Sequence, residues 1–159
     1  MIAQLDNELW FPDPRNGEED GLFAKGGDLS PERLILAYNY GIFPWFSFHY
    51  HDEPRWYCPM KRFVIFPSEI HVSHSMRTLM NKGRYTCTFN KAFRDVITCC
   101  SMVDERFLHE GAWLGVDIIK AYMKLYEMNI AASVETWDGE DFVGGLYGVV
   151  INRCFIGES

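Results

Sequence analysis

The hydrophobic period of the chain changes near residue 130, and this change limits the fold more than any other feature. Val116, Ile119, Tyr122, Met123 and Tyr126 recur at helical spacing and predict one helix over about 115–128, ended by Asn129, a residue type that tolerates left-handed backbone. From Ala131 the period falls to two. Segments 133–137 and 141–151 around Asp138-Gly139 predict a hairpin, because Asp-Gly supplies the positive φ angles of a type I′ turn. Asn152-Arg153 predicts a second turn into 154–157, and Gly144-Gly145 predicts close strand packing or a bulge. Upstream, 62–66 (closed by Pro67) and 85–89 read as strands. Asn90 reads as the N-cap of a helix over about 91–101 that carries Ala92, Phe93, Val96, Ile97 and Cys100. A helix leading into three antiparallel strands makes the fold class α+β, with a mostly antiparallel sheet.

At 159 residues and 48% hydrophobic content the chain is long enough for one domain or two very small ones with a real core. No apolar run approaches the roughly 18 residues that span a bilayer, and the start lacks a signal-peptide pattern, so the expectation is a cytoplasmic protein without membrane contact. The five cysteines are odd in number and form no CxxC pair, which favours reduced thiols. Charge is segregated along the chain. Residues 1–53 hold three basic and ten acidic side chains, 54–94 hold eight and one, and 95–159 hold four and eleven. The basic middle block interleaves Arg55, Lys61, Arg62, Arg77, Lys82 and Arg84 with Trp56, Tyr57, Phe63, Phe66 and Tyr85. That mixture suits phosphates and unpaired bases, and a solvated surface shows the same run.

The stretch 26–47 joins a capped helix to an aromatic loop. Ser30 serves as N-cap, Pro31 takes the first helical position, Glu32 favours the positive helix end, and Gly41 suits a left-handed C′ position. Leu34, Ile35, Leu36 and Tyr38 then face neighbours. Pro44 stops the helix and sets Phe43, Trp45 and Phe46 beside a turn. Rings in such a loop either plug a core or stack on a flat ligand.

Four blocks carry a resemblance: GGDLSPERLILAYNYGIFPWFS at 26–47, EGAW at 110–113, GGLYGV at 144–149 and FIGES at 155–159. In order and spacing they are similar to those of the leucyl/phenylalanyl-tRNA-protein transferases, from about Phe11 onward. The resemblance implies a small N-terminal α/β domain over 1–105, with the aromatic loop and basic block. After it comes the first half of an N-acetyltransferase-like (GNAT) catalytic domain over 106–159, with a boundary near 101–112. The implied activity moves leucine, phenylalanine or methionine from aminoacyl-tRNA to a protein with N-terminal Arg or Lys and marks it for N-end rule degradation. This chemistry is aminolysis of an ester and calls for no metal or redox cofactor.

By the same resemblance Trp45 and Trp113 contact the terminal adenosine, Leu146 and Phe155 line the pocket for the amino-acid side chain, and Glu158 stands at the reaction centre within reach of an amino group. Read alone, the two tryptophans are ordinary core rings, Leu146 and Phe155 strand core, and Glu158 a solvated charge. Arg55, Lys61, Arg62, Arg77, Lys82 and Arg84 become phosphate contacts to the tRNA, and the protein is expected to be a monomer. Family members continue past the GES motif with an aspartate, a glutamine and an asparagine. A chain that ends at Ser159 is therefore expected to transfer little and to leave a sheet edge and face uncovered. Two other readings stay open: a non-catalytic tRNA-binding fragment, and a coenzyme A-dependent N-acetyltransferase. The pairs His49/His51 and His71/His74 have no cysteine or carboxylate at a ligand spacing, so no metal site is expected.

Overall fold

A computed structural model describes residues 2–45, 53–102 and 115–159. The first sheet has the order β1-β2-β4-β3. β1 (Ala3–Leu5) runs parallel to β2 (Leu22–Gly26), and β4 (Arg55–Tyr57) lies antiparallel to both β2 and β3 (Phe43–Pro44). Helix α1 (Pro31–Asn39) starts as its sequence demands: the Ser30 hydroxyl accepts the Arg33 N–H at 3.3 Å, and Gly41 ends it at φ 70°. The block that opens this helix is built around a buried guanidinium. Arg33 donates to the carbonyls of Asp6 and Glu8 at 2.9 Å each and of Trp10 at 3.4 Å, pairs with Asp28 at 3.4 Å, and lies over the Phe11 ring. Gly27, at φ 73°, leaves room for it, since a Cβ there would come within 3.0 Å of the guanidinium carbon.

The second sheet is antiparallel throughout, in the order β5 (Tyr85–Phe89), β6 (Ala131–Asp138), β7 (Asp141–Ile151), β8 (Cys154–Gly157). Helices α3 (Phe93–Ser101) and α4 (Val116–Glu127) cover one face, where Val96, Ile97, Ile118, Tyr122 and Leu125 bury Tyr147 and Val149. Gly145 permits that approach, because a Cβ there would sit 2.7 Å from a Val96 methyl. Leu34, Ala37 and Tyr38 of α1 belong to the same core, so both sheets share one hydrophobic interior. The opposite face of the second sheet carries Phe89, Leu146, Val150 and Phe155, all exposed.

Several expectations change. Residues 62–66 pair with no strand among the described residues, and Phe63 is 92% exposed; a β-prone run becomes a strand only where a partner edge is offered. Helix α2 (His74–Asn81), capped by the Ser73 hydroxyl on Met76, and the first sheet lie outside the sequence reading. The hairpin joins Asp138 to Asp141 through Gly139 and Glu140, with positive φ at Gly139 alone, the pattern of a type II′ turn. Positive φ at both central residues occurs instead at Asn152 (50°) and Arg153 (67°). The second sheet draws strands from both sides of residue 105, with β5 as one of its two outer members.

Asn90 does not cap α3. It takes φ 55° and its side-chain oxygen accepts the Ser133 N–H at 2.8 Å. The turn ahead of α3 is held from β6 instead: the fully buried Glu135 carboxylate accepts the Thr88 and Ser133 hydroxyls at 2.5 Å each, and the Ala92 and Lys91 N–H groups at 3.3 and 3.4 Å. Burial works to raise this carboxyl, and these four hydrogen bonds outweigh it, holding Glu135 below its ordinary 4.5. A lowered folded pKa contributes stability above the unfolded value, lost as pH falls through the folded one. Glu135→Ala should therefore cost about 2–3 kcal/mol in urea unfolding at pH 7, and less at pH 3. An equal loss at both pH values would mean that packing alone is involved.

Candidate functional site

Two helices and the end of a strand bring together three polar side chains inside the shared core. Beyond β8 the chain keeps to β7: the Glu158 N–H donates to the Tyr147 carbonyl at 2.9 Å, and the Tyr147 N–H donates to the Ser159 carbonyl at 2.9 Å. Two residues thus oppose one, as in a β-bulge, which re-aims a side chain at a strand end. The Glu158 carboxylate accepts the Tyr38 hydroxyl of α1 at 2.6 Å, and the Tyr38 hydroxyl is also hydrogen-bonded to the Tyr122 hydroxyl of α4. The Tyr122 ring meets Tyr147 edge-on at 5.6 Å, which fixes the far side.

Protein surrounds the carboxylate although the residue as a whole is half-buried. Burial pushes Glu158 up from 4.5 to about 7, against the opposing effects of the Tyr38 hydrogen bond and the Arg62 charge. Burial, joined by the neighbouring ionisable groups, raises Tyr38 and Tyr122 well above 10.0, so both stay neutral donors. A carboxyl that titrates near neutrality beside neutral hydroxyls can take and return a proton. Sequence reasoning placed Tyr38 and Tyr122 on helix faces and assigned them no role. The available signal was a hydroxyl in each apolar stripe, which needs a partner once buried.

The other site residues fall into two groups. Trp45, 51% exposed, stands edge-on to Tyr57 at 5.4 Å, and Tyr57 stacks on Phe43 at 6.2 Å. Its N–H donates to the Arg55 carbonyl at 2.8 Å, continuing the β3–β4 pairing, so the ring projects from an anchored backbone. Trp113 lies outside the described residues. Leu146 (41% exposed) and Phe155 (45% exposed) converge over Gly157, whose Cβ would lie 3.6 and 3.7 Å from them. They form an apolar floor on the open face, while Glu158 points to the helix-covered side of the same ladder. Among the basic residues, Lys61, Arg77 and Lys82 are exposed, Arg55 is half-buried, and Arg84 is held by Asp138 at 2.5 Å. No group of three potential metal ligands occurs among the described residues, and no helix there is long and apolar enough to cross a membrane.

Residues 27–60 match the N-terminal domain of leucyl/phenylalanyl-tRNA protein transferases, and residues 64–159 match the leucyl/phenylalanyl-tRNA protein transferase family itself. The chain belongs to that family. It is 48% identical over 156 residues to the leucyl/phenylalanyl-tRNA-protein transferase of Flavobacterium psychrophilum, a match covering 98% of this chain and 72% of the relative. The transferase of an Anaeromyxobacter species is 45% identical over 159 residues, covering 99% of this chain and 66% of the relative. Desulforapulum autotrophicum has another at 43% identity, covering 99% and 68%. Membership makes the chain an aminoacyltransferase by kind, and the cluster of Tyr38, Tyr122 and Glu158 falls within the matched regions.

A raised folded pKa contributes stability below the unfolded value, lost as pH climbs through the folded one. For Glu158 the window runs from 4.5 to about 7. Glu158→Gln, which stays neutral, should be more stable than the parent by about 2–3 kcal/mol at pH 8 and close to it at pH 4.5. Parallel stability-against-pH curves for the two proteins would show that Glu158 is not buried as described.

Proposed function

We propose that this site transfers leucine, phenylalanine or methionine from aminoacyl-tRNA to the N-terminal Arg or Lys of a protein, in the cytoplasm and as a monomer, with Glu158 moving the proton. The observation that carries the reading is the Glu158 carboxyl, surrounded by protein, accepting the Tyr38 hydroxyl, which is itself bonded to Tyr122; burial pushes that carboxyl up to about 7. In the reaction the α-amine lone pair forms the C–N bond at the acyl carbon while the ester C–O bond breaks. The proton lost by nitrogen ends on the departing ribose oxygen. Glu158 takes that proton as a carboxylate and gives it up as an acid, a role that needs a pKa near the working pH. Tyr38 and Tyr122 stay protonated and hold the carboxylate in place.

In this reading Trp45, with Trp113, stacks on the terminal adenosine, and its exposure beside Tyr57 supports that use. Leu146 and Phe155 receive the amino-acid side chain, where an apolar surface accepts the three named residues and disfavours polar ones. Lys61, Arg77 and Lys82 carry charge free to meet phosphates, with Arg55 and Arg62 nearer the aromatic loop. Arg84 is the weakest of the six, because Asp138 already neutralises it. Degradation of the modified protein follows from the N-terminal residue it gains.

Transfer of labelled leucine from leucyl-tRNA to an Arg-ended peptide tests this. Trp45→Ala should lower kcat/KM roughly 5- to 150-fold, the equivalent of one lost base stack, with an unchanged melting temperature. Glu158→Gln should lower kcat by a factor of about 100 or more. Wild-type kinetics in both variants would return these residues to purely structural roles.

A further inference from the structure

β4 lies between β2 and β3, and its two aromatic residues, adjacent in sequence, point to opposite faces of the first sheet. Trp56 is fully buried: its indole N–H donates to the Gly26 carbonyl at 2.9 Å, and the Phe11 ring meets it edge-on at 4.8 Å. Tyr57 therefore faces the other way, from a backbone paired with Leu22 on one side and Phe43 on the other. On that outer face Phe43 stands directly across from Tyr57, and Trp45, two residues farther along, bonds to Arg55. The three rings form a row: Phe43 stacks on Tyr57 at 6.2 Å, and Tyr57 meets Trp45 edge-on at 5.4 Å. Arg62 closes the far end. Its guanidinium carbon lies 5.1 Å from the centre of the Phe43 ring, while its Nε donates to the Pro59 carbonyl at 3.1 Å and its Nη2 to the Gly41 carbonyl.

Trp45 needs such a neighbour. It is 51% exposed, it follows the last residue of β3, and among the described residues Tyr57 is the one ring that touches it. An indole with free side-chain torsions loses that freedom when a base stacks on it, and the loss weakens binding. A ring already held edge-on by another has lost it beforehand. One neighbouring ring covers at most one face of the indole, so the other face can take a flat ligand. We propose that Tyr57 is a positioning residue for the terminal adenosine of the tRNA. Fixed by β4, its ring sets the Trp45 indole in the orientation that stacks on the base. The contact is made ring to ring, so the hydroxyl is dispensable. The inference deepens the stacking role proposed for Trp45 and rests on it.

The test compares two probes on the full chain: uncharged leucine tRNA labelled at its 5′ end with a fluorophore, and the same tRNA without its terminal adenosine. The ratio of their dissociation constants reads the stacking of that one base, while shared phosphate contacts cancel from it. The parent should bind the complete tRNA about 5- to 150-fold more tightly, and Trp45→Ala should remove most of the difference. Tyr57→Leu and Tyr57→Met, which keep apolar bulk without a ring, should each reduce the ratio about 3- to 10-fold, and Tyr57→Phe should keep it within about 2-fold. Adding Tyr57→Leu to Trp45→Ala should lower the ratio no further, because Tyr57 acts through the indole. A Tyr57 that only braces the sheet would weaken both probes alike in its variants. A parent ratio in both Tyr57→Leu and Tyr57→Met overturns the proposal. Failure of the stacking reading looks different: Trp45→Ala itself would keep the parent ratio.

Discussion

The chain of hydrogen bonds from the Glu158 carboxylate to the Tyr38 hydroxyl and on to the Tyr122 hydroxyl is the contact on which the arrangement of the two sheets turns. Tyr38 rides on the helix of the first sheet, Tyr122 on a helix of the second, and Glu158 stands at the end of β8. An isolated carboxylate is costly to bury, so this one requires both helices in register before it is satisfied. The apolar side chains around it belong to one continuous core. Cohesion therefore comes from hydrophobic burial, and register comes from the polar cluster within it. In the proposed reaction chemistry and architecture would share the same three side chains, so that the carboxyl at the junction of the two units needs no separate scaffold.

The opposite face of the second sheet follows a different logic. Leu146 and Phe155 flank Gly157, and the Phe155 ring stands over Gly148, where a Cβ would come within 2.8 Å of it. Glycine at paired positions on neighbouring strands lowers the floor between two large side chains. The Phe155 ring can therefore lie down on the strand backbone, and with Leu146 it makes an apolar surface on the open face.

Much of the second unit was legible from residue pattern. The stripe through Tyr122 and the alternation after Ala131 are long, strongly periodic signals, and Asn129, Gly41 and Asn152 sit at positive φ as their chemistry suggests. The first sheet was not legible. Its strands are two to five residues long, too short for a period to emerge, and they gain identity only from pairing across distant sequence. Residues 62–66 show the converse, a run with strand composition and no partner edge. At the site, motif resemblance pointed to Glu158 and Trp45 but passed over Tyr38 and Tyr122. A tyrosine in a helical stripe reads as bulk until its hydroxyl is seen to meet another. Arg62 was legible as one charge in a basic block, whereas its fixed position depends on the Gly41 and Pro59 carbonyls, which no side-chain pattern encodes.

The turn that leads into α3 bears on how the chain reaches its fold. The helix begins at Phe93, and the two N–H groups just before it, on Lys91 and Ala92, are held by Glu135, more than forty residues later and on the strand next to β5. Isolated helices of nine residues are marginal in water, so the turn that leads into α3 gains its definition when β6 docks beside β5. Entry turn and sheet therefore form together, across a high sequence separation that slows the search.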